Sequence, residues 1–314
     1  MSVACVGILV ADVFANPIRR LPEPGELTTT SGFVMSVGGC AANTAVALRI
    51  LGLDVNVAGK VGLDIFGDFV ISELMRRGVG VEHIRRASMH PTSGTVIFNV
   101  DGEDRRYLHC IGANADLTLS DIDYGVLEGA KVLYVGGYLA APSFTSYDLA
   151  LLFREARSRG ITTVLDVVMP AGRSFGLGHI APALRYTDYF LPNQDEAARL
   201  TGCGDVRLQA QRLSAVNPEC AMVITRGPRG SLAMRRNRVI VTPPFPVETV
   251  DESGAGDAFT AGLITGLLEN WDLERTLSFA GVVGASCTRK LGCFAGVFTF
   301  DEAVGFLNEQ QTAV

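Results

Sequence analysis

The sequence predicts an α/β fold, a doubly wound, mainly parallel sheet flanked by helices, with a small β-rich lid. Short apolar runs alternate with helix-like segments along most of the chain, which is the trace that a parallel sheet and its crossover helices leave in a sequence. Thirty-five glycines against 13 prolines suit many tight strand-to-helix turns. Two segments in the first third break the alternation, which places β structure outside the main sheet.

Residues 3–10 are apolar and read as the first buried strand, closed by Asp12. Residues 22–37, rich in Thr, Ser and Gly, are the first interruption. Residues 41–51 and 66–77 read as helices, the second carrying Phe69, Val70 and Leu74 on one face. Residues 95–109 hold two runs around an Asp101-Gly102 turn, a hairpin signal. The two interruptions are expected to form lid insertions at approximately 13–37 and 91–112, within one domain spanning 1–314. The plainer alternative is a surface decoration. Residues 131–135 read as a strand, 147–159 as a helix ended by Gly160, and 161–168, 189–191 and 221–225 as further buried strands.

Composition narrows the function. A 314-residue chain that is 48% hydrophobic is too rich in core material to be disordered; a folded chain of this size buries about three quarters of its surface. The net charge of −6, from 27 basic and 33 acidic residues, leaves no basic excess or stripe for nucleic acid. Cys5, Cys40, Cys110, Cys203, Cys220, Cys287 and Cys293 are scattered without a Cys-x-x-Cys pair, which suggests free thiols in a reducing cytoplasm. No Lys or Arg precedes the first apolar run, so it is read as a strand and not as an export signal. The longest uncharged stretch, residues 27–48, is interrupted by Ser31, Gly32, Gly38, Gly39 and Asn43, and no membrane span is expected. His83, His90, His109 and His179 lack metal-ligand spacing. There is no Gly-x-x-x-x-Gly-Lys-Ser/Thr loop, and the Gly176-Leu177-Gly178 run follows Arg173 and Ser174 where a dinucleotide fingerprint would follow a buried strand.

The most informative segment is Asp251-Glu252-Ser253-Gly254-Ala255-Gly256-Asp257, between a strand-like run and a helix over 254–268. Its first turn is built of small residues, so free backbone N–H groups at the positive end of the helix dipole form a ready anion site. Asp257 in that turn would repel a phosphate unless a proton or cation intervenes, which suggests a base beside a transferring phosphoryl group. From the residues alone the alternative stays open: Ser253 as an N-cap, a glycine turn, and Asp257 complementing the dipole. Asp12 reads either as a carboxylate at a strand's carboxyl end, facing the crevice where open α/β sheets bind ligands, or as a turn residue. Asn193 to Glu196 by itself is a helix start with an N-cap and an acidic residue three positions on.

These residues resemble the ribokinase-like, or PfkB, carbohydrate kinase family, whose C-terminal motif is Asp-Thr-x-Gly-Ala-Gly-Asp; Glu252 departs from it where the family commonly has Thr. Gly38-Gly39-Cys40-Ala41-Ala42-Asn43-Thr44-Ala45 is similar to the family's upstream Gly-Gly-x-x-x-Asn-x-Ala, and segments at Gly112, Asn193 and Thr225 also resemble it. The resemblance implies an ATP-dependent phosphotransferase acting on a hydroxyl of a sugar or sugar-like molecule. It makes Asp257 the general base and the amides of Gly254, Ala255 and Gly256 the anion hole. Asp12, Gly38, Gly39 and Asn43 become sugar contacts, and Thr225, Gly227 and Gly230 border the nucleotide. Asn193 and Glu196 would order Mg²⁺ through water near the phosphates. Asp251, with Ser286 and Arg289, falls where some relatives bind a monovalent cation such as K⁺. In some relatives the lid also forms a homodimer contact. Two alternatives stand beside this reading: a nucleoside kinase of the same fold, and a non-catalytic sugar- or nucleotide-binding protein. The acceptor itself is expected to be unphosphorylated, because residues 35–48 hold no Lys or Arg to receive a second phosphate. Lys60, Arg105 and Arg106 are the cations that could reach the site from elsewhere.

Overall fold

The first strand of the structure, a computed structural model that describes residues 2–103 and 106–312, is β1 (Ser2–Gly7). Its side chains alternate between two faces, Val3 and Cys5 entering one core and Ala4 and Val6 the other. The chain then turns at residues 8–9 into β2 (Val10–Ile18) of a different sheet, followed by β3 (Phe33–Gly38). The apolar run read as one strand over 3–10 is therefore broken after Gly7. Hydropathy could not reveal the break, since Ile8, Leu9 and Val10 are all buried in the join. Residues 19–32, expected to be β-rich, contain no strand.

Helix α1 (Cys40–Ile50) leads to β4 (Asp54–Gly62), α2 (Ile65–Arg76) and β5 (Gly80–Ala87). Val70 and Leu74 supply the buried stripe of α2, and Asp64 caps it by accepting from the Gly67 amide at 2.9 Å. The expected hairpin is β6 (Gly94–Val100) and β7 (Arg106–Cys110), paired antiparallel. Arg105 lies outside the described residues. Next come β8 (Ala130–Gly136), α3 (Ser146–Ser158) and β9 (Thr162–Leu165). β9 stops three residues before the expected 168, and Asp166 follows it directly. The chain continues through α4 (Ala181–Leu184), β10 (Tyr189–Phe190), α5 (Gln194–Thr201), α6 (Val206–Ser214) and β11 (Ala221–Thr225). The hairpin β12 (Ser231–Arg235) and β13 (Arg238–Thr242) precedes α7 (Ala255–Leu268), α8 (Leu273–Cys287) and α9 (Phe300–Thr312).

The large sheet has the order β13-β12-β11-β10-β9-β8-β1-β4-β5. It is parallel except for the antiparallel pairs of β12 with β11 and β13. One face packs on α1, α2, α7, α8 and α9, through residues such as Leu48, Leu74, Leu263, Phe279 and Leu307. The other packs on α3, α5 and α6 through Leu149, Phe153, Ala197 and Leu213. This is the doubly wound arrangement expected. The small sheet, β3-β2-β6-β7, is the lid. It begins at Val10, so Asp12 sits within a lid strand, paired opposite Ser36, and not at the end of the first strand of the main sheet.

Candidate active site

Two helix N-termini converge at the carboxyl edge of the large sheet. α1 starts behind Gly38-Gly39 and α7 behind Gly254, and the two helices pack together. Crowding dictates these glycines, by a side chain at Gly38 and by backbone at Gly39 and Gly254. A Cβ on Gly38 would stand 2.0 Å from Asp12 Oδ2, and one on Gly39, whose φ is +89°, would stand 2.4 Å from the Ile8 carbonyl oxygen. Gly254, at φ +75°, would press a Cβ to 2.2 Å from the Cys293 carbonyl oxygen. Gly256 faces open space with nothing within 4 Å.

Gly254, not Ser253, is the N-cap of α7, and no side chain caps the helix. The Ser253 amide instead donates to Asp251 Oδ1 at 2.8 Å, which overturns the plain N-cap reading. Of the three anion-hole amides expected, that of Ala255 makes a long 3.3 Å bond back to the Glu252 carbonyl. The helix start thus keeps the polarity and the lack of a cap that an anion site needs.

Asp257, in the first turn of α7, is held from α1: Asn43 Nδ2 donates to its Oδ2 at 2.9 Å, and the Thr44 hydroxyl donates to its backbone carbonyl at 3.4 Å. Desolvation pushes its carboxyl up to about 6, against the lowering pull of the Asn43 amide and the Cys40 thiol. One N–H of the Asn43 amide is thereby given to Asp257, which ties the expected sugar contact to the expected base, and Asn43 Oδ1 has no partner among the described residues. Asp12 is buried, desolvation pushes its carboxyl up to about 6, and Thr95 of the lid is its hydrogen-bond partner. Both Asp12 and Asp257 raise the Cys293 thiol electrostatically, so the two carboxylates flank one region.

Two residues that the sequence reading did not single out complete the cluster. Polar atoms of Cys40, Asp166 and Asp257 all lie within 4.8 Å of one another. Burial, with the charges of Glu196 and Asp257 nearby, holds Asp166 well above the usual carboxylate range. Its signal was present in the sequence, a carboxylate directly after an apolar strand, but the strand was read as running through it.

Asn193 caps α5 and Glu196 closes a capping box: Asn193 Oδ1 accepts from the Glu196 amide at 2.9 Å, and Glu196 Oε2 accepts from the Asn193 amide at 2.8 Å. Desolvation raises the Glu196 carboxyl to about 7, and Asp257 is among the charges that act on it. Asn193 bridges to Thr225, so the ends of β10 and β11 lie side by side, and Arg229 of the following Gly227–Arg229 turn donates to Gln194 Oε1 at 2.9 Å. Gly230 closes that turn, its amide donating to the Gly227 carbonyl at 3.0 Å. Asp251 spends its oxygens on the amides of Ser253 and Gly292, both at 2.8 Å. Ser286 Oγ donates to the Val283 carbonyl and accepts from the Phe298 amide, while Arg289 stacks on Phe298. A cleft of about 510 Å³ separates Asn99 and Glu103 of the lid from Val250, Asp251 and Glu252 ahead of α7. The exposed Glu252, the departure from the family motif, faces that cleft.

A doubly wound sheet, a small sheet over its carboxyl edge and a carboxylate in the first turn of an uncapped helix define the ribokinase-fold class of small-molecule kinases. Residues 1–297 match the model of the pfkB family carbohydrate kinases, and the chain belongs to that family. It is 26% identical to the ribokinase of Bacillus subtilis over 98% of this chain and 99% of that one. It is 28% identical to the deoxyribokinase of Salmonella typhi over 91% and 92% respectively. The structure of Arabidopsis thaliana ribokinase complexed with ribose and ATP superposes with a TM-score of 0.81 at 22% identity, covering 98% of both chains. The protein is a kinase of the sugar and nucleoside type that this family comprises. No helix among the described residues is long and apolar enough to cross a membrane, and all seven cysteines are free.

Proposed function

We propose that the protein transfers the γ-phosphoryl group of ATP to a hydroxyl of an unphosphorylated sugar or sugar-like polyol. The observation that carries this is Asp257, partly buried in the first turn of an uncapped helix and fastened by Asn43. Its carboxylate takes the acceptor proton as the acceptor oxygen bonds to phosphorus and the bond from phosphorus to the bridging oxygen breaks, leaving ADP. The amides of Gly254 and Gly256, with that of Ala255, hold the equatorial oxygens at the positive end of α7. Asp12, on the lid side, accepts from acceptor hydroxyls beside the Gly38-Gly39 backbone. Thr225, Gly227 and Gly230 border the nucleotide.

The oxygen-rich, mutually repelling set of Asp166, Glu196 and Asp257 suits a hard divalent cation. Glu196 and Asp166 would hold Mg²⁺ through water, with Asn193 keeping Glu196 in place; the ion would neutralise charge on the phosphates. A monovalent cation at Asp251 would share the carboxylate oxygens with the amides of Ser253 and Gly292.

The charges support a neutral acceptor. Lys60 Nζ is held by Asp116 at 3.2 Å and Asp121 at 3.0 Å, and Arg106 pairs with Glu103. Lys60 is thus neutralised in a partly buried cluster, and Arg106 has an acidic neighbour of its own on the exposed hairpin. The test is kcat/KM with Mg·ATP over pentoses, hexoses, sugar acids, their monophosphates and nucleosides. Neutral sugars should lead. A monophosphate or a nucleoside preferred over every neutral sugar by about tenfold, or 1.4 kcal/mol of transition-state binding, would overturn the acceptor class. Binding without turnover across the panel would favour a non-catalytic binding protein.

A further inference from the structure

We infer that Cys40, Asp166 and Asp257 form a binding site for a thiophilic divalent cation of the zinc type, and that occupation of this site blocks the enzyme. The three ligand atoms lie within 4.8 Å of one another. A tetrahedral zinc with one sulfur and two oxygen ligands needs separations of about 3.5 Å, so side-chain rotations closing about 1 Å suffice. Mg²⁺ has little use for sulfur, whereas a thiolate beside two carboxylates suits zinc and its neighbours. The fourth position stays open to water or a substrate oxygen.

A second observation points to a ligand at this cluster. Asn43 is only 5% exposed, its Nδ2 donates to Asp257, and its Oδ1 is buried without a hydrogen-bond partner. Asn43 thus places an unsatisfied carbonyl oxygen on the residue that holds Asp257, beside two carboxyls and a thiol that burial keeps protonated until a metal displaces its proton. The opposing field is small: two helix N-termini contribute about half a positive charge each, which the carboxylates of Asp166, Asp257 and nearby Glu196 exceed when ionised. On binding, the metal–sulfur bond replaces the thiol S–H, and that proton, with any proton on the carboxyls, leaves to solvent. A metal on Asp257 removes the base on which the proposed reaction depends, so inhibition rests on that reading, whereas binding does not.

The experiment separates the two. Co²⁺ is titrated into the substrate-free protein under anaerobic conditions, comparing wild type with Cys40→Ala and Cys40→Ser. A thiolate-to-cobalt charge-transfer band in wild type that both variants lose supports the site. No band, or a band undiminished in either variant, overturns it. In parallel, Zn²⁺ is titrated against turnover in saturating Mg·ATP, each variant normalised to its own metal-free rate. Loss of a metal ligand should weaken chelator-reversible inhibition by at least about tenfold, no less than the loss of a supporting residue costs. Equal inhibition in wild type and Cys40→Ala would mean that zinc acts by displacing Mg²⁺ and would overturn the inhibitory role. A cobalt band with no turnover on any acceptor would support the site while overturning the kinase mechanism.

Discussion

Asp257 must be ionised to act as a base, yet its surroundings favour the neutral form and push the carboxyl up to about 6. Turnover should therefore lose an acid limb as pH falls through about 6, seen in kcat/KM against pH. Asp257→Asn should lower kcat by about 10²-fold or more with nucleotide binding retained; near-normal turnover would sink the mechanism. The same shift makes a stability prediction. The folded state binds this proton more tightly than the unfolded chain, whose aspartates titrate near about 3.9. That stabilisation is complete below the unfolded value and is lost as pH rises through the folded one. Asp257→Asn should accordingly raise Tm at pH 8, by about 1–2 kcal/mol of stability after allowing for partial solvent access, and the gap should close toward pH 4. Gly254 and Gly256 separate in the same way. Gly256→Val, in open space, should lower kcat about tenfold or more with Tm little changed. Gly254→Val meets the Cys293 backbone and a positive φ, so it should lower Tm as well. Equal effects of the two on Tm would contradict this division.

At the scale of elements, the lid is where sequence and structure differ most. Its hairpin was legible, because Asp101-Gly102 between two apolar runs is a local signal. Its central strand β2 was not, because the buried residues joining it to β1 conceal a change of sheet. β7 is exposed along its length, and β3 exposes Phe33, Val34 and Met35. An element with so little of its own packing opens at low cost, and the proposed reaction needs water kept from the phosphoryl group. Saturating acceptor should protect amides of residues 28–33 and 95–109 in hydrogen exchange. Identical protection with and without acceptor would remove the closing lid.

At the scale of the molecule, β1 lies between β8 and β4, third from the β5 edge of the large sheet, and feeds a core on either face, so the site is built on strands that are packed on both sides. The two edge strands of the lid leave apolar side chains uncovered, with Phe33 and Leu108 71% and 67% exposed. Exposed apolar edge strands call for cover, and a second lid would supply it. Light scattering should give a homodimer that Phe33→Asp with Leu108→Asp converts to monomer while the fold is kept. A wild-type monomer at micromolar concentration would refute the dimer.

The sequence by itself determined the alternating α/β class, the hairpin, the capping box at Asn193 and the small-residue helix start before Asp257, since each depends on neighbours within a few positions along the chain. Only the tertiary structure decided that the Asn43 amide belongs to Asp257, 214 residues away, that Lys60 is spent on Asp116 and Asp121, and that Cys40 and Asp166 join the base. The reason is physical. Propensity and periodicity are properties of local backbone, whereas the partner of a polar side chain is set by which strand ends and helix starts the folded sheet brings to one edge.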